Sequence, residues 1–595
     1  MGEMNITKST FMEYIRCNRY PALNNIYQRK DLDDFEKERY YELVETLENF
    51  SVDEDSDFLE VDTTHLKVMM PYFNQVEILL ANKVKSHFGG ETRFGVEYGV
   101  QKMFIREHNN FNLSCFVDIY NRSEHINVVE VKATTSNKFL SLGYTEDKVR
   151  KSIFYKDDNN IMHLMEKLDP ELLFSEKYLK QRNKLKQRFT DVGTYVYDLL
   201  FQRFVIEEDV KDAKYYLGVL NHDYVFDGKY LEGEPMYTED IAVLIDLTDL
   251  TKELLPLMES EINKVTNRIL ESDMTKVILG KHCQIKKMRE CIFKDICYDK
   301  LPEKNSIAMF MNKHHGFKDK SGTKYDYFEL LNDGYFKMTD LPHDYLTRKN
   351  NQIQRDAAIT HKPYYDIAKI RSIIDIIKYP IYHLDFESFP CPLPRFRGEK
   401  AYAQSLFQFS LHIEKEPGVC DKELDHLEYL SANHEDNREM LVKKLCEYII
   451  DDGGSIMVYN QAFEKTRIKE LAAIYPEYGE QLLAMNERLF DLMHVIKTNT
   501  KLFEALGFDP ERAKRVNYYH EDLSGSYSIK KVLPIFSKLT YKGMEVGNGM
   551  EAVYAYAGYK ELNPEELKNR LHALTLYCQQ DTWAMVEILD SLRKI

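Results

Sequence analysis

Two acidic residues, two positions apart in an otherwise apolar run, are the strongest hint of chemistry in this sequence. Residues 381–389 read IYHLDFESF, in which Tyr382, Leu384, Phe386 and Phe389 suit a buried strand while Asp385 and Glu387 interrupt it. Residues i and i+2 of a strand project to the same face, so both carboxylates converge on one spot. Such a pair is costly in apolar surroundings unless a cation holds it. The alternative is an edge strand with one wet face, and a bare Asp-x-Glu leaves both readings open.

A second acidic constellation lies earlier, in Asp118 followed by Glu130-Val131-Lys132. Glu130 and Lys132 share a strand face by the same period. An acid and then Glu-x-Lys on the next strand can bind one or two divalent ions, with the Lys orienting water or offsetting phosphate charge. Glu–Lys alternation is also common on solvated strands. Downstream, Cys283, Cys291 and Cys297 fall within fifteen residues, and Cys17 supplies a distant fourth thiol. Four thiolates suit a structural zinc or an iron–sulfur cluster. Cys115, Cys391, Cys420, Cys446 and Cys578 are dispersed and read as packing residues. His314-His315 in a polar stretch could ligate metal but reads as solvated.

The elements that must position these groups follow from periodicity. Residues 6–28 predict a capped helix with Phe11, Ile15 and Leu23 inward, 31–60 an acidic, helical or loose stretch, and 71–88 a helix carrying Val76 and Val84. Short β-rich runs follow at 94–98, 113–120 and 126–133, the last two forming a hairpin around Asn121-Arg122-Ser123-Glu124. Residues 301–375 are polar and read as a connector with a few helices, ending in an isoleucine-patterned helix. Beyond it, 405–413 should pair with 381–389. Residues 435–450 form a helix, and 455–459 a strand that runs into Asn460-Gln461-Ala462-Phe463-Glu464. Residues 489–493 begin a further helix, 526–533 a turn-to-helix entry with Lys530 and Lys531, and 566–593 a closing helix. An acid opening a helix just past a strand's end can join a site at the sheet's carboxyl edge. Tyr577 and Asp581, at i and i+4, share a face of the closing helix.

The chain has 595 residues, 44% of them hydrophobic, and a net charge of −17. That is room for two to four domains of ordinary globular composition. No apolar run reaches membrane length and no leader is apparent, so the expectation is a soluble, cytoplasmic protein without membrane partners. The net charge disfavours nucleic acid on average, but a nuclease needs only a local basic track. Residues 177–188 and Lys313, Lys318, Lys320 and Lys324 permit one, although such runs are usually solvated faces.

One early cysteine, the Asp…Glu-x-Lys core and the late cysteine triplet resemble the RecB-type nucleases of the PD-(D/E)xK superfamily, as do CRISPR-adaptation nucleases. The resemblance implies a four-iron, four-sulfur cluster on Cys17, Cys283, Cys291 and Cys297, with zinc as the alternative. It implies Asp118 and Glu130 as metal ligands, Lys132 as catalytic, and Gln202 in the following helix, where Ile206 replaces the family's Tyr. Glu77 is the candidate for the upstream helix acid.

The later order is similar to the DEDD, or DnaQ-like, 3′–5′ exonucleases. Asp385-x-Glu387 corresponds to the first motif, Asn460-x2-Phe463-Glu464 to the second and Tyr577-x3-Asp581 to the third. Two Mg2+ or Mn2+ ions would then lie on Asp385, Glu387, Glu464 and Asp581, with Tyr577 orienting water. Glu464 stands where the family usually has Asp, and Asp491 is a fallback ligand. The segments ITKSTFMEYIRC, YDLLFQRFVIE, HLDFESF, VYNQAFEKTRIKELA, GSYSIKKVLP and YCQQDTWAMVEIL together resemble a bacterial family that joins both modules in one polypeptide.

The expected fold is therefore α/β. Residues 1–300 would form a restriction-endonuclease-like domain stapled by the cysteine cluster. Residues 301–375 would connect it to an RNase H-like mixed sheet with flanking helices at 376–595. The expected function is a metal-dependent dual nuclease on single-stranded or end-exposed DNA, in repair or phage defence. The alternatives are an RNA-processing 3′–5′ exonuclease with the N-terminal module as a clamp, or a non-catalytic nucleic-acid-binding assembly protein.

Overall fold

A computed structural model describes residues 5–27, 63–95, 101–284 and 291–595. The expectations for 31–60 and for 96–98 lie outside the described residues. The chain forms two compact units. The first runs to Cys297 and also takes in Cys391–Ala403; the second comprises Tyr298–Pro390 and Gln404–Ile595. Residues 301–375, read above as a connector, are part of the second unit. Both units mix helices with mixed sheets.

The first unit is built on a seven-stranded sheet. In spatial order its strands are Glu91–Phe94, Ile119–Arg122, Ile126–Thr135, Lys214–Leu220, Ala242–Asp246, Ile161–Leu164 and Phe154–Lys156. The strand carrying Glu130 and Lys132 pairs antiparallel with Ile119–Arg122 and parallel with Lys214–Leu220. The expected hairpin is therefore present, but the run before it breaks at Asp118, between Phe111–Val117 and Ile119–Arg122. Helix Asp191–Ile206 is buried on nearly every side. The Thr190 hydroxyl opens it by accepting the Gly193 amide at 3.1 Å, satisfying a first-turn donor that would otherwise lack a partner. The expected single helix at 6–28 is two, Lys8–Tyr14 and Arg19–Ile26, parted by the turn that carries Cys17. Phe11, Ile15 and Leu23 point inward as expected.

Cys391–Ala403 packs into this unit. Leu393 lies in one core with Val129 and Val131, and the Tyr402 hydroxyl donates to the carbonyl of Ala133. The Tyr237 hydroxyl donates to the Pro394 carbonyl at 2.8 Å.

The second unit centres on five strands ordered His426–Leu430, Gln404–Glu414, Ile381–Pro390, Ile456–Val458 and Leu489–Asp491. Numbered along the chain the order is 3-2-1-4-5, and only Gln404–Glu414 runs against the others. The expected pairing of 381–389 with 405–413 is present, with Asp385 opposite Ser410 and Glu387 opposite Gln408. Residues 489–491 are a strand rather than the start of a helix; Leu489 and Phe490 pair with Ile456 and Met457 at the sheet edge. Three residues are too few for a periodic signal to separate the two states.

The closing helix Pro564–Arg593 starts from a capping box between Asn563 and Glu566. Near its other end, Arg593 clamps the buried Glu414 through Nη1–Oε1 at 2.5 Å and Nη2–Oε2 at 3.0 Å. His383 Nε2 meets the same carboxylate at 3.1 Å. Removing one partner of such a buried pair strands a charge, so Glu414→Ala is expected to cost roughly 3–5 kcal/mol. Urea unfolding followed by fluorescence of Trp583, the one tryptophan, reads this unit. A loss below about 1 kcal/mol, the range of an exposed pair, would contradict the clamp.

Candidate functional site

In the second unit, a cleft of about 190 Å³ is lined by Asp385 and Glu387 from the central strand. Glu464 reaches it from the first turn of helix Ala462–Ile474, and Tyr577 and Asp581 from the closing helix. The five residues come from three separate stretches of sequence, which the fold brings to one cleft. The acids are largely withdrawn from water: Glu387 is 8% exposed, Glu464 3% and Asp581 7%. Among the described residues, one group of His, Cys, Asp and Glu brings three ligand atoms within 4.8 Å of one another, and it is Asp385, Glu387 and Cys578. Converging carboxylates repel at short range unless a cation intervenes. Their hard oxygens match Mg2+ or Mn2+, so the donor set fits those ions.

Backbone strain aims the second motif. Asn460, two residues past strand Ile456–Val458, has a φ of +68°, a left-handed conformation that Asn tolerates better than most residues. The Asp491 carboxylate accepts the amides of Asn460 at 3.0 Å and Gln461 at 3.2 Å, and also that of Met493 at 3.0 Å. Asp491 thus holds the turn that delivers Glu464. It does not line the cleft itself, so its fallback role as a ligand gives way to a positioning one.

Tyr577 faces Tyr541, their rings 6.2 Å apart. Burial, reinforced by Asp581, Glu387 and Asp385, pushes the Tyr577 phenol well above its ordinary value, leaving a neutral donor. The Tyr541 hydroxyl donates to Asp581 Oδ1 at 2.6 Å and fixes that carboxylate. Cys578, fully buried beside Asp385, donates from Sγ to Oδ2 at 3.6 Å. Burial and the neighbouring acids raise its pKa, so it is a thiol.

The acidic constellation of the first unit is arranged differently. Glu130 is fully buried, and its Oε1 receives Lys8 Nζ at 2.7 Å and Lys132 Nζ at 2.8 Å. Gln202 donates to Oε2 and, at 3.1 Å, to the Phe116 carbonyl. Lys132 also pairs with Asp198 at 2.8 Å. Asp118 accepts the Val131 amide at 2.8 Å and Gln101 Nε2 at 3.4 Å. Asp118, Glu130, Lys132 and Gln202 are therefore brought together, with the acids already compensated by lysines and donors. Glu77 is buried on helix Thr63–Phe88, beside Val76 and Leu80, which share a core with Val131.

The four predicted cysteines gather in the first unit. The Cys291 amide donates to the Cys283 carbonyl at 2.9 Å. Cys291 senses the charges of Cys17 and Cys283, and Cys17 that of Cys297. Arginines frame them: Arg19 Nη1 reaches Cys297 Sγ at 3.7 Å, and Arg268 holds the Tyr14 and Ile15 carbonyls beside Cys17. Burial pushes the Cys291 thiol up to about 11.

Three of the six cations in the basic run at 177–188 pair with acids of the same unit. Arg182 pairs with Glu166 and Glu253, Lys186 with Glu253, and Arg188 with Glu261. Sequence reasoning assigned no role to Lys8, Asp198 or Tyr541. Asp198 had a signal, since it precedes Gln202 by one helical turn; Lys8 and Tyr541 had none.

Burial alone would raise the Glu130 carboxyl, but the ammonium groups of Lys132 and Lys8 hold it down at about 2. A folded-state pKa below the unfolded one stabilises the protein above the unfolded value near pH 4.5. That contribution, on the order of 3 kcal/mol, is lost as pH falls towards 2. Urea melts at pH 7, 5 and 3 should show a decline that Glu130→Gln flattens. An identical decline in the variant would contradict this assignment.

A domain of unknown function, DUF2779, matches residues 382–528. The chain is 26% identical over 233 residues to the uncharacterized protein UU173 of Ureaplasma parvum, covering 36% of this chain and 31% of that protein. It is 25% identical over 302 residues to the uncharacterized MG366 homolog of Mycoplasma pneumoniae, covering 46% and 41%. The chain thus spans about a third to two-fifths of the length of these curated relatives. No solved structure matches it.

Proposed function

We propose that this chain is a metal-dependent nuclease whose second unit hydrolyses phosphodiester bonds of single-stranded or end-exposed DNA from the 3′ end. The observation that carries the reading is the convergence of Asp385, Glu387, Glu464, Asp581 and Tyr577 in one cleft. The 3-2-1-4-5 sheet with its second strand reversed supports an RNase H-like architecture. Mg2+ or Mn2+ held by the four carboxylates would supply Lewis acidity at the attacking and leaving oxygens. Asp385 and Glu387 fix the site to the rigid central strand. Glu464 closes it from the turn braced by Asp491, and Tyr541 keeps Asp581 oriented. The neutral Tyr577 phenol donates a hydrogen bond that orients the attacking water or a phosphate oxygen.

In the first unit, strands Glu91–Phe94, Ile119–Arg122 and Ile126–Thr135 pair antiparallel in turn, follow helix Thr63–Phe88, and are joined by strand Lys214–Leu220, which follows helix Asp191–Ile206 and runs parallel to the strand of Glu130-x-Lys132; this arrangement supports a PD-(D/E)xK-like core. Its cysteines support a four-iron, four-sulfur cluster. Zinc on the same four thiolates is the alternative. The saturated Glu130 carboxylate favours a second reading of this unit as a clamp that binds the strand without cutting it.

End-labelled single-stranded DNA and RNA, incubated with Mg2+ or Mn2+, separate these readings. Asp385→Asn should abolish a 3′–5′ ladder by a factor on the order of 10³. A second activity lost only in Lys132→Ala would make the first unit a nuclease; a weakened but otherwise unchanged ladder would make it a clamp. Wild-type protein that cuts neither substrate would overturn the proposal. Visible absorbance lost in Cys17→Ser checks the cluster.

A further inference from the structure

The turn-to-helix motif at 526–533 has no part in the reading above, yet it places a cation in the same cleft. Lys530, in the first turn of helix Ile529–Phe536, lines the cleft together with Lys497. Two lysines thus share a small space with Asp385, Glu387, Glu464 and Asp581.

Each lysine lies near an aromatic ring. Lys530 Nζ lies 5.8 Å from the centroid of Tyr541 and Lys497 Nζ 6.0 Å from that of Tyr527, at the outer limit of cation–π attraction. Both rings are fixed, Tyr541 by its bond to Asp581 at 2.6 Å and Tyr527 by donating to the Tyr518 carbonyl at 2.8 Å. A ring face steadies an ammonium without cancelling its charge, so that charge stays available to an anion entering the cleft. Phe463, Met493, Ile529 and Met550 supply apolar lining nearby, suited to a base rather than to a bare inorganic anion.

We infer that Lys497 and Lys530 bind the phosphates that flank the scissile bond of a nucleic-acid strand, dividing the cleft into carboxylates for metal and lysines for substrate. This rests on the nuclease reading of the same cleft. Lys531, the next residue of the motif, does not line the cleft and is the internal control.

The test measures binding of a fluorescent single-stranded oligonucleotide by anisotropy in Ca2+ over a salt series, alongside cleavage in Mn2+. Lys530→Ala and Lys497→Ala should each weaken binding about threefold to tenfold. Each should also reduce the slope of log affinity against log salt by about 0.7, the value for one phosphate contact on a single strand. Lys531→Ala should change neither. Replacing the terminal phosphodiesters with uncharged methylphosphonates should weaken wild-type binding by a similar factor, with little further loss in Lys530→Ala. Equal effects from Lys531→Ala, additive losses from the lysine and methylphosphonate changes, or no binding of the oligonucleotide by wild type would overturn the inference. Failure of wild type to cleave while the lysine effects persist would overturn the nuclease reading and leave a phosphate-binding cleft.

Discussion

The second unit depends on a conflict of charge built into one strand. Asp385 and Glu387 project from the same face of a strand whose other residues are buried, and helices bring Glu464 and Asp581 to the same place. Folding must therefore assemble like charges with little water to screen them, which apolar packing and hydrogen bonds elsewhere in the unit have to offset. The Glu414–Arg593–His383 network ties the closing helix to the strand next to the Asp385 strand. Asp491 holds the turn that presents Glu464. These contacts fix the helices and strand ends that carry the acids to the sheet.

The two units arrange their buried acids and lysines differently. Around Glu130, two lysines and Gln202 take up the carboxylate oxygens within the fold. A metal entering there would have to displace existing partners, and the network is a source of stability as it stands. In the cleft of the second unit, Lys530 and Lys497 lie near the rings of Tyr541 and Tyr527, in the space that Asp385, Glu387, Glu464 and Asp581 also line. Motif spacing does not reveal this difference in arrangement.

Sequence pattern carried the central strand, its antiparallel partner and the closing helix, because each is long enough for a period of two or 3.6 to repeat. It also placed Asp385, Glu387, Glu464, Tyr577 and Asp581, since paired acids and an i, i+4 pair are local relations. Leu489–Asp491 was missed as a strand because three residues carry no period. The packing of residues 391–403 against Val131 and Ala133 is a long-range relation that no local spacing encodes. Lys8, Asp198 and Tyr541 act through partners far away in the chain, and Arg182, Lys186 and Arg188 of the basic run pair with acids on a distant helix.

The most direct test of the central claim is calorimetric titration of the full chain with Mn2+. The account predicts binding of about two ions in the second unit, lost in the Asp385→Asn, Asp581→Asn double variant and retained in Glu130→Gln. Mn2+ binding that the double variant leaves unchanged would show that these carboxylates do not form a metal centre.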